Sequence, residues 1–168
     1  APDRLAAQDV AARREEHQAF LRVAAPRLDR LFSLVGQSGC AVLLTDAQGV
    51  VLDQRMNTGD AAVFEDWGLW SGADWSEARE GTNGIGTCVV ERQALTIQQE
   101  EHFRSRHTGL TCSASPGPQK SAAAAILNSH RRPKTHASRK QASTLALRKG
   151  NPAASKLHTR SNMLGSVE

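Results

Sequence analysis

The chain has 168 residues and carries 21 Lys and Arg against 17 Asp and Glu, a formal net charge of +4. That length suits one ordinary domain, and the longest apolar run, the six residues Ala122 to Leu127, is too short to cross a membrane as a helix. Three cysteines, Cys40, Cys88 and Cys112, form no CxxC pair and leave an odd thiol, which argues against a disulfide framework and makes a reducing cytoplasm the default compartment.

The opening APDRLAAQDVAARREE is charged and is no secretory signal. It has no initiator Met, so a fragment or a processed product is expected. From Ala6 to Ala25 the pattern is helical, with Val10, Phe20, Leu21 and Ala24 around a face that also carries His17. Pro26 is expected to break or restart that helix, because proline suits a first turn and not an interior. Leu28, Leu31, Phe32 and Val35 then fall at i, i+3, i+4 and i+7, a stripe ending at Gly36. Residues 1–36 therefore read as an N-terminal helical segment that packs on a sheet or on a second copy of itself.

CAVLLTDAQGVVLD, residues 40–53, reads as a β-hairpin. Asp46 can cap the turn and Gly49 can take positive φ. Val42-Leu43-Leu44 and Val50-Val51-Leu52 are apolar in succession, which implies a sheet covered on both faces.

The stretch WGLWSGADWSEAREGTNGIGTCVVER, residues 67–92, holds the chemistry of most interest. Thr82 or Asn83 can cap a helix whose buried face is Ile85, Cys88 and Val89. Gly81, Gly84 and Gly86 allow close approach of backbone to a packed neighbour or to a ligand. A P-loop is excluded because no Lys precedes position 120, and a dinucleotide fingerprint fails because Val89 stands where a third small residue is needed. What survives is a helix N-terminus whose N–H groups can hold a polar or anionic group. Trp67, Trp70 and Trp75 either plug the core or wall a pocket.

Residues 94–97 then read as a strand, QQEEHFRSRHTGL as a polar loop, and residues 110–114 as a further short strand. His102, His107 and Cys112 lie close together beside Glu100 and Glu101, but the H-x4-H-x4-C spacing matches no strong metal template. A Cys112–His107 nucleophile pair lacks a recognisable oxyanion hole and a third orienting group. Structural roles are expected there, with no metal, cofactor or catalytic residue.

The blocks LLTDAQGVVLD, WSEAREGTNGIGTCVVE, LTI and EHFRSRHTGLTCSA, led by LRVAAPRLDRLFSLVGQSG, resemble the N-terminal GAF sensory domain of acetoin-catabolism-type activators. Those are bacterial regulators that work with the nitrogen-type sigma factor, and the resemblance covers roughly residues 16–114. It implies an α/β (α+β) fold, a GAF-like antiparallel sheet flanked by helices, over residues 37–114. It further implies a small-molecule sensor and no enzyme. In the family an ATPase module and a helix-turn-helix follow, and neither is present here, so DNA contact belongs to modules absent from this chain.

Beyond Ser115 the composition changes. Residues 1–114 carry a net charge of −5 and, among their basic side chains, Arg alone; residues 115–168 carry +9 and all five Lys. No aromatic residue follows Phe103. Residues 115–168 therefore read as an aberrant or disordered basic tail, through a shifted reading frame or a genuine low-complexity extension. Unless Ala122–Leu127 substitutes for it, the family's final internal strand is missing.

Two functions follow from these features. The first is a cytoplasmic regulatory domain that binds a small organic ligand through Trp67, Trp70, Trp75, Thr82, Asn83, Gly84, Ile85, Gly86, Cys88 and Cys112, and dimerises through its N-terminal helix. The second is a basic-tailed module that binds nucleic acid nonspecifically, or a dimerisation module with no ligand.

Overall fold

A computed structural model of the chain describes residues 3–118 and 121–128. The elements in chain order are α1 (Ala7–Glu16), α2 (Gln18–Val35), β1 (Cys40–Thr45), β2 (Val51–Arg55), α3 (Ala61–Asp66), α4 (Glu77–Glu80), α5 (Gly84–Glu91), β3 (Leu95–Gln98), β4 (Leu110–Pro116) and β5 (Ala122–Asn128). The five strands form one antiparallel sheet in the order β2-β1-β5-β4-β3.

Each face of the sheet is covered, and alternation along β1 sorts its side chains between them. Cys40, Val42 and Leu44 face α2, where Ala24, Leu28 and Val35 are buried and Phe20, Leu21, Leu31 and Phe32 pack beside them. Ala41 and Leu43 face the opposite layer, built from Phe64, Leu69, Ala73, Trp75, Ile85 and Cys88. The apolar stripe read from the sequence is thus the packing face of α2.

The helical break falls at His17 (φ −96°, ψ 12°), not at Pro26, which lies inside α2. The expected break fails because Pro26 sits on the exposed side of the helix. The carbonyl it cannot bond belongs to Arg22, itself an exposed residue, and access to water softens the usual penalty. Nor does Gly36 supply a left-handed end, since its φ is −60°; the left-handed residue is Gly39, at +77°.

The β1–β2 turn is built by Asp46. Its Oδ1 accepts from the N–H groups of Gln48 (2.8 Å) and Val50 (3.0 Å), and Gly49 turns the chain at φ +88°. Asp46 is fully buried, and Arg13 of α1 reaches its Oδ2 at 2.6 Å, tying α1 to the hairpin.

The expected tail boundary at 115 is corrected, and the alternative left open at Ala122–Leu127 is the one the structure takes: β4 continues through Pro116, and β5 pairs on one side with β1 and on the other with β4. Ala122–Asn128 is therefore the central strand that a tail beginning at Ser115 would remove. Ala122 and Ala124 lay down a shallow floor, with Ala124 flanked by Leu43 and Ala114. Over such small side chains the opposite layer sits close to the sheet. The part of the expected basic tail beyond Asn128 lies outside the described residues.

Candidate functional site

The helix start read from GTNGIGT is held by Asn83. Its Oδ1 accepts from Ile85 N (2.9 Å) and Gly86 N (2.8 Å), while its Nδ2 donates to the carbonyls of Trp75 (3.1 Å) and Gly81 (2.8 Å). The donors at Ile85 and Gly86 are therefore engaged by the protein's own side chain. Thr82 is exposed and does not cap; Thr87 Oγ1 accepts from Asn83 N and donates to Glu77.

The glycines serve close packing. A Cβ at Gly86 would fall 2.6 Å from the Trp75 carbonyl oxygen, and one at Gly84 would fall 2.6 Å from Cβ of Cys112. Gly84, Ile85, Gly86 and Cys88 are all buried, Gly84 against β4 and Gly86 against the Trp75–Glu77 segment, with Val89 half-buried. Asn83, Gly84, Ile85, Gly86, Cys88, Cys112 and Trp75 thus meet in one layer over β4 and β5.

The three indoles belong to one core cluster and differ in burial. Trp75 is fully buried, donates from Nε1 to the Gly68 carbonyl at 2.9 Å, and stacks on His107 with ring centroids 4.5 Å apart. Trp67 is half-buried and meets Phe64 edge-on. Trp70 lies beneath the Arg4 guanidinium, 4.6 Å from its ring centroid.

Next to Trp75 is a polar group that sequence reasoning does not assemble. Glu80, at the end of α4, is buried and pairs with Arg106, whose Nε also donates to His107 Nε2 at 3.2 Å. His107 is fully buried, and burial among neighbouring cations pushes its pKa down to about 3, so its ring is neutral. His102 packs edge-to-face on it, centroids 6.1 Å apart, and burial lowers its pKa as well. EHFRSRH announces two histidines, but nothing local signals that Glu80, 26 residues away from Arg106, joins them.

Cys88 is pushed up to about 11 and Cys112 higher still, both chiefly by burial, so these thiols stay protonated and weakly nucleophilic. Cys112 packs on Gly84. Among the described residues no three His, Cys, Asp or Glu side chains converge on a metal position. No helix there is long and apolar enough to cross a membrane.

Among the described residues, four buried side-chain polar atoms have no hydrogen-bond partner: Gln54 Oε1, Trp70 Nε1, His102 Nε2 and His107 Nδ1. All belong to the layer opposite α2. Gln54 pairs across the ladder with Leu43, whose side chain faces that layer, Trp70 packs against it, His107 stands on Trp75, and His102 meets His107 edge-on.

Comparison with known proteins agrees with this architecture. The family model described as MimR, N-terminal domain, matches residues 1–129. The acetoin catabolism regulatory protein of Cupriavidus necator is 43% identical over 108 residues, which cover 62% of this chain and 16% of that protein. The propane 2-monooxygenase operon transcriptional activator MimR of Mycolicibacterium goodii is 35% identical over 98 residues, 58% of this chain and 17% of that protein. The chain thus spans about a sixth of the length of these curated relatives. The crystal structure of the E. coli DhaR(N)–DhaL complex contains a chain with the same GAF-like fold, at a TM-score of 0.74 and 16% identity, covering 88% of this chain and 52% of that one.

Proposed function

The chain belongs to the MimR N-terminal domain family, and from that premise we propose that it is a regulatory domain of a transcriptional activator that senses a small organic ligand. The relatives named above are transcriptional regulators, not enzymes. The ligand site is the layer between the sheet and α3–α5. Trp67, Trp70 and Trp75 supply its apolar parts, and Asn83 to Cys88 with Cys112 form its packed wall.

The observation that carries this reading is the gathering of four unpartnered polar atoms in that one layer. A buried polar atom left unsatisfied costs about 1–3 kcal/mol. Four such atoms approach the whole stability of a small domain, about 5–15 kcal/mol. Partners from outside the chain are the physical remedy, and a mostly apolar site with a few polar groups is what small ligands need.

The test is a panel of small organic compounds scored by Trp fluorescence and thermal shift. Saturable binding that is insensitive to salt and is weakened by Trp70→Phe supports the sensor. If no compound perturbs either signal in a folded sample, the sensor reading falls.

Dimerisation is compatible with this role and rests on α2. Phe20 and Leu31, and Val23 and Leu34, are each eleven residues apart, three helical turns, so each pair lies along one side of α2. Val23 and Leu34 are 58% and 52% exposed. A second copy is the partner proposed for that side, checked by sedimentation of the wild type against a Val23→Glu/Leu34→Glu variant.

A further inference from the structure

The tautomers of His102 and His107 are fixed by their neighbours, and the nitrogens they leave over are opposite in kind. His102 Nδ1 lies 2.9 Å from the Gln99 carbonyl, which can only accept, so the proton sits on Nδ1 and Nε2 is a bare acceptor. Arg106 Nε–H can only donate, so His107 Nε2 accepts and the neutral ring carries its proton on Nδ1. The two nitrogens left over are one acceptor and one donor, and both are without a partner. His102 is 4% exposed and His107 0%.

We propose that His102 Nε2 and His107 Nδ1 together bind one neutral hydroxyl oxygen, the oxygen of an alcohol-bearing ligand, as the specificity-determining polar end of the site. A hydroxyl donates once and accepts at its lone pairs, so it satisfies both nitrogens at once. A ketone or ether satisfies only His107, and a hydrocarbon neither. A carboxylate would accept from His107 but would set its charge against the His102 lone pair in a dry site. The two rings are neighbours that meet edge to face, their centroids 6.1 Å apart. Trp75, stacked on His107, offers an apolar surface beside the pair. The same oxygen could come from a ligand alcohol or from a held water. This inference rests on the sensor reading and goes one step beyond it by naming the group that is recognised.

The experiment uses the whole chain with 15N-labelled histidine and three compounds of matched shape: cyclopentanol, cyclopentanone and cyclopentane. The free protein should show His107 protonated at Nδ1 and His102 at Nδ1. Cyclopentanol should then move His102 Nε2 and His107 Nδ1 saturably and bind at least fivefold more tightly than cyclopentanone. His102→Phe should bring alcohol and ketone within twofold of each other, while His102→Gln, which restores an acceptor, should recover part of the preference. Should the Phe variant fail to fold, the tautomers and shifts of the wild type still decide.

Tautomers other than these, or nitrogens that no alcohol moves, overturn the proposal. A long-lived water signal at His107 Hδ1 that cyclopentanol displaces supports it. The same signal left undisplaced assigns the oxygen to structural water and overturns the ligand role. If another compound binds saturably by Trp fluorescence while both nitrogens stay unmoved, the hydroxyl inference falls and the sensor reading stands. If no compound binds at all, both fall together.

Discussion

Gly84 at the start of α5 and Cys112 in β4 occupy the same space: a Cβ on the glycine would stand 2.6 Å from the cysteine Cβ and 3.0 Å from its carbonyl oxygen. The missing side chain is what lets α5 lie directly on the sheet. Gly84→Ala is therefore expected to destabilise the fold by about 1–3 kcal/mol through overpacking, and Gly84→Val by more. Changing Cys112 to Gly removes the two closest atoms in conflict, its Sγ and Cβ. The double variant Gly84→Ala/Cys112→Gly should recover about 1 kcal/mol or more relative to the sum of the single losses, as expected of residues in contact. Urea denaturation of the four proteins measures this, and strict additivity would show that the contact does not set the helix position.

Asn83 makes four hydrogen bonds with one fully buried amide, two to the first turn of α5 and two to carbonyls of the preceding loop. Removal of an N-cap alone costs about 0.5–2 kcal/mol, and the stranded carbonyls of Trp75 and Gly81 add to that. Asn83→Ala should lose about 2 kcal/mol or more. Asn83→Asp keeps the acceptor and loses the donor, and it places a charge beside two carbonyls, so it should not rescue. Melting temperatures of both variants check this, and wild-type stability in Asn83→Asp would mean that the Nδ2 bonds contribute little.

The parts of this architecture that can be read from the sequence are those fixed locally. The α2 stripe follows from 3.6-residue spacing, and the hairpin from Asp46 and Gly49. The Asn83 cap follows from turn chemistry. β5 is not legible, because four alanines have low strand propensity and a central strand is specified by its neighbours. The pairing of Ala123 with Leu44 on one side and Ser115 on the other makes it a strand.

The candidate site divides in the same way. The Asn83–Cys88 segment is legible as a capped helix start, but whether its glycines face protein or ligand depends on Cys112 and Trp75, which local pattern does not place. The three tryptophans share a composition signal and not a degree of burial, since only Trp75 is sealed in the core. Glu80 and Arg106 meet across 26 residues, a distance at which single-sequence patterns are silent. The membership of His107 in their group is invisible for the same reason.

A buried neutral histidine makes the fold sensitive to acid. The His107 pKa is pushed down to about 3 in the folded chain, against an ordinary value of 6.5. Below 6.5 the unfolded chain takes up a proton that the folded chain refuses until about pH 3. This stability is therefore present above pH 6.5 and is lost as pH falls through that window. His102, lowered by its own burial, acts in the same direction. Between pH 6.5 and 4.5 the loss from His107 should reach about 2 kcal/mol. Urea midpoints across that range should fall with pH in the wild type and fall less steeply in His107→Gln. Equal slopes would place the acid sensitivity elsewhere.

The turn at Gly49 joins the hairpin to the loop that carries Trp75. Its φ of +88° is a conformation that a β-branched residue tolerates poorly. Space is also short, because a Cβ there would lie 3.0 Å from Ser76 N and 3.3 Å from the carbonyl carbon of Trp75. The Gly49 carbonyl accepts from Trp75 N at 3.1 Å, so a twist at the turn is passed directly to the tryptophan. Gly49→Val should cost about 1 kcal/mol or more from backbone strain alone, and it should also shift the Trp75 emission by loosening its burial. Gly49→Asn, which tolerates positive φ better, should cost less and leave emission closer to wild type. Thermal melts followed by fluorescence test both points together. A Val variant with unchanged melting temperature and emission would show that the turn relaxes without involving Trp75.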